Sequence, residues 1–165
     1  MSKALNVVPS NHAVETGVKN TKKIATGLAD VLSDTYALIL KTHAYHWNVE
    51  GPLFYGVHNL TEEQYENMFS AADELAERIR ALGHLAPMKL TATIESSVIE
   101  DKSKAPTAIE MCADLAADHE RVAHRLHALI EIAEDNKDAV TADLATARSA
   151  FHEKAAWMLR AIAAG

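Results

Sequence analysis

The sequence predicts an all-α chain: an antiparallel four-helix bundle with a short extra helix in the central connection. Three observations carry this. The 165 residues are 48% hydrophobic but only 5% aromatic, an alanine- and leucine-type content that favours helix packing over sheet. Apolar residues recur at three- and four-residue spacing over long stretches. The six Gly and four Pro gather mostly at a few breaks, around Gly51-Pro52-Gly56, Gly83-Pro87 and Pro106. The length suits one domain, read as a tail over 1–20 and a bundle over 21–165.

The first helix is predicted from Thr21 to Trp47, on the stripe Ile24, Leu28, Val31, Leu32, Leu38 and Ile39. The second is predicted from Val57 to Leu82, on Val57, Leu60, Met68, Ala72, Leu75, Ile79 and Leu82. Gly83 suits the position just past its end, and Pro87 prevents continuation. A short helix falls within Thr91–Ile99. The next long helix opens on Thr107-Ala-Ile-Glu110, a capping-box pattern, and runs to the polar stretch Glu134–Asp138. The last starts near Thr141 and holds Leu144, Phe151, Trp157 and Ile162. Helices of 24–28 residues are about 36–42 Å long and pack most simply as a bundle.

Composition narrows the function classes. One Cys forms no internal disulfide and no Cys-rich zinc site, and it points to a reducing compartment. No apolar run reaches the ~18–20 residues of a membrane span, and residues 1–10 lack the apolar core of a signal peptide. The expected location is the cytoplasm, without a membrane partner. The net charge is −7, which speaks against a simple nucleic-acid binder. Residues 1–23 nevertheless carry Lys3, Lys19, Lys22 and Lys23 against Glu15, a local +3 that leaves −10 on the rest.

Chemistry enters on the second helix. His58 and Glu62 share a face, as do Asp73 and Glu77. Bare pairs of this kind are most often solvated helix faces. Asp73, however, lies beside the apolar residues Ala72, Leu75 and Ala76, where an unpaired carboxylate is expensive. The two acids of the second pair also repel, and a cation between them reverses that sign. His58 and Asp73 are about 22 Å apart along the axis and about 60° apart in rotation. The pairs therefore point similarly but cannot hold one ion within one chain. A two-fold partner with its second helix antiparallel brings the His58/Glu62 end of one chain to the Asp73/Glu77 end of the other. His46, at the end of the first helix, is placed to join His58. The expected metal set is His46, His58 and Glu62 from one chain with Asp73 and Glu77 from its partner. Imidazoles with carboxylates suit Fe(II), Mn(II) or Zn(II), and several carboxylates suggest redox iron.

These residues resemble the Dps family, small ferritin-like proteins that protect bacterial DNA from iron and peroxide. The matching stretches are His43-Ala-Tyr-His46-Trp47-Asn48-Val49-Glu-Gly51-Pro-Leu-Phe54, Val57-His58 and Asp73-Glu-Leu-Ala-Glu77-Arg78. The ending His152-Glu-Lys-Ala-Ala-Trp157-Met158-Leu159-Arg160 is also similar to that family's last helix. The resemblance covers about Asn20 to Ala164. It implies a homo-dodecameric shell with ferroxidase centres at two-fold interfaces. It also implies Fe2+ oxidation by hydrogen peroxide, Fe3+ storage and relief of oxidative stress on DNA. His46, His58, Asp73 and Glu77 match the family's ligands; Glu62 stands where many members carry Asp and is one methylene longer. The resemblance makes Trp47 a wall beside the iron that quenches one-electron intermediates. Glu134, Asp135, Asp138 and Asp143 read on their own as caps and first-turn acids of the last helix, whereas the resemblance makes acids near this turn, Asp143 first and Asp138 next, lining of an iron-entry pore. Lys3, Lys19, Lys22 and Lys23 are the candidates for DNA contact, and a mainly DNA-condensing nucleoid protein is the alternative function.

Remaining candidates receive structural readings. His43, three before His46 on the same helix face, is expected in a structural role near the site rather than as a direct ligand. His119, His124 and His127, with Glu120, are expected on a solvated face, and Cys112 in the core.

Overall fold

The computed structural model describes residues 13–164 of the chain. The described residues form α1 (Thr21–Asn48), α2 (Phe54–Ala81), the short α3 (Leu90–Glu95), α4 (Ala108–Asp135) and α5 (Ala139–Ala163). Four long helices make the bundle, and α3 sits in the connection between α2 and α4, packed on α1. The predicted stripes of α1 and α2 are core, but on α5 the predicted Leu144, Phe151 and Ile162 are half-buried and Trp157 is exposed, because Ala145, His152, Ala156 and Leu159 face in instead. Ile24, Leu28, Leu38, Met68, Leu75, Ile79, Leu115, Leu126 and Leu159 are all fully buried. Cys112 is among them, and burial raises its thiol pKa. Gly27 has a packing reason: a Cβ there would lie 2.9 Å from Leu129 Cδ1, so α1 meets α4 closely at this point.

The helix ends follow local chemistry. Thr107 and Glu110 make the full capping box, each side chain accepting from the other's backbone N–H. Gly83 ends α2 in the left-handed region at φ 86°. Its N–H reaches Arg80 O, and the N–H of His84 reaches Ile79 O, the paired bonds of a Schellman ending. The same pair ends α4, from Lys137 to Glu134 O and from Asp138 to Ala133 O, but here a lysine takes the left-handed position at φ 62°. Lys137→Gly should therefore stabilise the fold by about 0.5–1 kcal/mol, read as a higher denaturant midpoint.

Two boundaries differ from expectation. The second long helix starts at Phe54, not Val57, because Gly51-Pro52 alone makes the break and Gly56 sits in the first turn with open space around it. The short helix ends at Glu95 because buried Asp34 on α1 captures the chain that follows. Its Oδ1 accepts from Ser97 Oγ and from the Val98 N–H. Before α1, the Val14 N–H donates to Ala81 O and the Lys19 N–H to Asn136 O, so the chain is fastened to the ends of α2 and α4 well ahead of Thr21. Residues 1–12, with Lys3, lie outside the described part. No helix among the described residues is long and apolar enough to cross a membrane.

Candidate metal centre

The sharp turn from α1 to α2, with Gly51 at φ 87°, brings His46 and His58 together. Their rings stack with centroids 3.7 Å apart. His46 Nδ1 lies 2.9 Å from His58 O, and His58 Nδ1 lies 2.9 Å from His46 O. A carbonyl only accepts, so each Nδ1 must carry the proton. Each Nε2 is left with its lone pair, the tautomer a metal ligand needs. The reciprocal bonds also lock both ring orientations. Thr61 Oγ1 donates to Val57 O and is 3.0 Å from His58 O, while Phe54 stacks on the outer face of His58 at 4.9 Å.

Glu62, one turn on, is half-buried beside Tyr65. Burial and then the charges of Glu62 and Glu66 raise the Tyr65 phenol. Tyr65 presents its edge to His46 at 5.3 Å. His43 lies between Tyr65 and Trp47, at 4.3 and 4.1 Å between ring centroids, and 6.0 Å from His46. Trp47 itself is 65% exposed, a lid on His43 and not part of the bundle core.

Asp73 and Glu77 lie further along α2, and both are exposed. The inward position inferred for Asp73 is therefore corrected: Ala72 and Leu75 turn into the core, and Asp73 turns out. No described residue forms an ion pair with either acid. One chain gathers no group of three His, Cys, Asp or Glu side chains able to hold a metal among the described residues. His46 and His58 are brought together, with Glu62 one turn further along α2 beside Tyr65; Asp73 and Glu77 are not brought to them.

The other candidates divide by burial. Asp138 is 1% exposed and caps α5, accepting from the N–H and Oγ1 of Thr141. Its Oδ1 also receives Arg78 Nη2 at 2.6 Å. Burial pushes its carboxyl up, but Arg78 and Thr141 outweigh this and hold it below the ordinary value. Both oxygens are engaged inside the chain, so the pore reading of Asp138 is corrected to a capping role; Asp143 is exposed. Arg78, whose role the sequence left open, ties α2 to the start of α5, with Nε donating to Thr141 Oγ1. Arg78→Ala should cost about 2 kcal/mol. The pair's contribution is present above the ordinary carboxylate pKa and is lost as pH falls through the depressed one, so the deficit should shrink in acid-titrated melts.

His119 is also corrected. It is fully buried and meets buried His152 of α5, Nδ1 to Nδ1 at 2.8 Å. Burial, with the Arg148 charge, pushes His119 down to about 3, and His152 also lies well below its usual value. His124 and His127 are exposed, as expected. A further charged group escaped the sequence reading. Lys41 Nζ is buried 2.6 Å from both Asp114 and Asp118, and Tyr45 donates to Asp114 at 2.7 Å. The signal was present as Asp114 and Asp118 four apart on a largely apolar helix face.

A family model for the ferritin-like domain matches residues 25–164. The chain is 34% identical over 140 residues to DNA protection during starvation protein 2 of Bacillus anthracis, covering 85% of this chain and 96% of that one. It is 36% identical over 136 residues to an uncharacterized low temperature-induced protein of Nostoc sp., covering 81% and 76%. The solved structure of Dps from Mycobacterium smegmatis superposes with TM-score 0.81 at 35% identity, over 87% of this chain and 88% of that one. Fold and sequence agree along nearly the whole described length, and the chain belongs to the Dps family of ferritin-like proteins.

Proposed function

We propose that this chain is an iron-sequestering ferroxidase. In this reading it assembles into a dodecameric shell, oxidises Fe(II) with hydrogen peroxide and stores the Fe(III), sparing DNA from oxidative damage. The observation that carries the reading is the reciprocal His46–His58 pair, which presents two fixed Nε2 lone pairs, with Glu62 one turn further along α2. Asp73 and Glu77 of a second chain complete the set. The midpoint of His58 and Glu77 coincides with the midpoint of Glu62 and Asp73, between Asn67 and Met68. One two-fold axis there aligns both pairs at once. Exposed apolar groups lie where that axis would pass. Phe69 is 64% and Leu40 61% exposed, on a groove of about 810 Å³ that also holds Tyr36, His43, Tyr65 and Ile94. Covering such a groove is a natural use of a second copy.

The chemistry follows from the donor set. Three carboxylates and two imidazoles offset the charge of iron and favour the oxidised ion. Two Fe(II) each give one electron to hydrogen peroxide, which takes two protons and leaves as two waters, so no hydroxyl radical is released. Trp47 and His43 form a wall over the first imidazole, and Asp143 is the candidate to guide cations inward. DNA is protected here by removing both Fenton reactants. Contact through Lys3, Lys19, Lys22 and Lys23 is a separate property, read by a gel shift of the intact assembly at low and physiological salt.

Anaerobic Fe(II) titration followed by peroxide tests the proposal. The native protein should bind Fe(II) stoichiometrically and accelerate its oxidation, and His58→Ala or Asp73→Ala should lose at least about tenfold in either property. A native protein that does neither overturns the reading.

A further inference from the structure

Away from the two-fold face, a polar layer crosses the middle of the bundle. Four contacts set its level. Lys41 meets Asp118 across α1 and α4 at 2.6 Å, and His119 meets His152 across α4 and α5 at 2.8 Å. His43 packs on Tyr65 across α1 and α2 at 4.3 Å, and Arg148 Nη1 meets Asn67 across α5 and α2 at 2.8 Å, one turn along. Thr42, Gln64, His119 and His152 therefore share one level of the four helices. All four are buried, with Gln64 only 3% exposed.

The layer is not satisfied by protein groups. Thr42 Oγ1, both amide atoms of Gln64 and His119 Nε2 are buried without a hydrogen-bond partner among the described residues. Arg148 Nη2, one turn away, is in the same condition. Unmet buried polar atoms are rare in folded proteins, and five this close in the fold need a common partner.

The donor and acceptor inventory selects the partner. Gln64 Nε2 and Arg148 Nη2 can only donate, and Gln64 Oε1 can only accept. A metal cation satisfies the acceptor and leaves the donors unmet. It would also bury positive charge near Arg148, and the carboxylate at this level, Asp118, is already held by Lys41 and Arg121. A halide or other simple anion satisfies the donors and leaves Gln64 Oε1 unmet. Only a small molecule that both donates and accepts meets all of them. We propose that the layer formed by Thr42, Gln64, His119 and His152 is an internal hydration site, holding ordered water that bridges α2 to the α4–α5 histidine pair. The water also serves whichever proton arrangement the His119–His152 bond adopts, because it can give to or take from His119 Nε2.

A high-resolution crystal structure of the intact, iron-free assembly tests this without reference to ferroxidase activity. Uncharged solvent density within hydrogen-bond reach of both the Gln64 amide and His119 Nε2 is the expected result. An anomalous metal or halide peak, or a dry layer in which Gln64 bonds directly to His119, overturns the proposal. The same bridge predicts coupling in solution. Gln64→Leu and His119→Phe should each lower the melting midpoint by several degrees, and the double variant should melt above the value expected from adding the two shifts. Strict additivity overturns the bridge. Should a variant fail to fold, the native crystal structure still decides.

Discussion

Assemblies reconstituted from equal amounts of His58→Ala and Asp73→Ala protomers are expected to regain about a quarter of the native Fe(II) sites, although neither variant alone has any working site. The fraction follows from a shared centre. Half of the randomly formed two-fold pairs contain one chain of each kind. Such a pair has one site with both defects and one with none, because the intact histidines of the Asp73→Ala chain face the intact acids of the His58→Ala chain. Stopped-flow oxidation after dissociation and reassembly gives the readout. A site made within one chain predicts no recovery. Mixing His58→Ala with Glu62→Ala is the control: both residues lie on the same side of the centre, so mixed pairs should recover nothing. Recovery in that control would mean that Glu62 is not part of the set.

The largest loss of stability is expected from Lys41→Met. Its ammonium lies between two buried carboxylates and also donates to Glu100 O at 2.8 Å. Removing one side of a buried pair leaves uncompensated charge and costs about 3–5 kcal/mol. Lys102 on Asp114 and Arg121 on Asp118 remain, which places the effect at the lower end of that range. Adding Asp118→Asn to Lys41→Met should recover part of the loss, since it removes the more deeply buried carboxylate. The two acids respond to pH in opposite senses. Burial pushes Asp114 up, but hydrogen bonds from Lys41, Tyr45 and Lys102 outweigh it and its pKa is lowered. Its contribution is present above the ordinary carboxylate pKa and is lost on acidification. Asp118 is raised by burial against the pull of Lys41, so its ionised form costs stability at neutral pH and that cost fades on acidification. As the pH falls from 5 to 2, through the ordinary and then the depressed Asp114 pKa, denaturant midpoints should therefore drop less for Asp114→Asn than for the native protein.

These cases mark how far the sequence could be read. Helix periodicity located the four long helices, and the Thr107–Glu110 box and Gly83 located two of their ends, because those signals act within one or two turns. The His46 and His58 pairing was legible for a related reason. A tight turn between two antiparallel helices forces residues 12 apart into contact. Periodicity gives only an angle around one helix. It cannot tell whether a neighbour supplies a partner at that angle, and this is where the reading failed. Asp73, beside apolar residues, faces out, while Asp138 and His119 face in.

The inward groups are tolerated because partners distant in sequence meet them: Arg78 for Asp138, His152 for His119 and Lys41 for Asp114 and Asp118. Local spacing and resemblance thus specified the helices, the family and the residues of the candidate iron site. Tertiary packing decided which polar groups are buried, because burial of a charge is allowed only where a second helix brings its counter-charge or hydrogen-bond partner within reach.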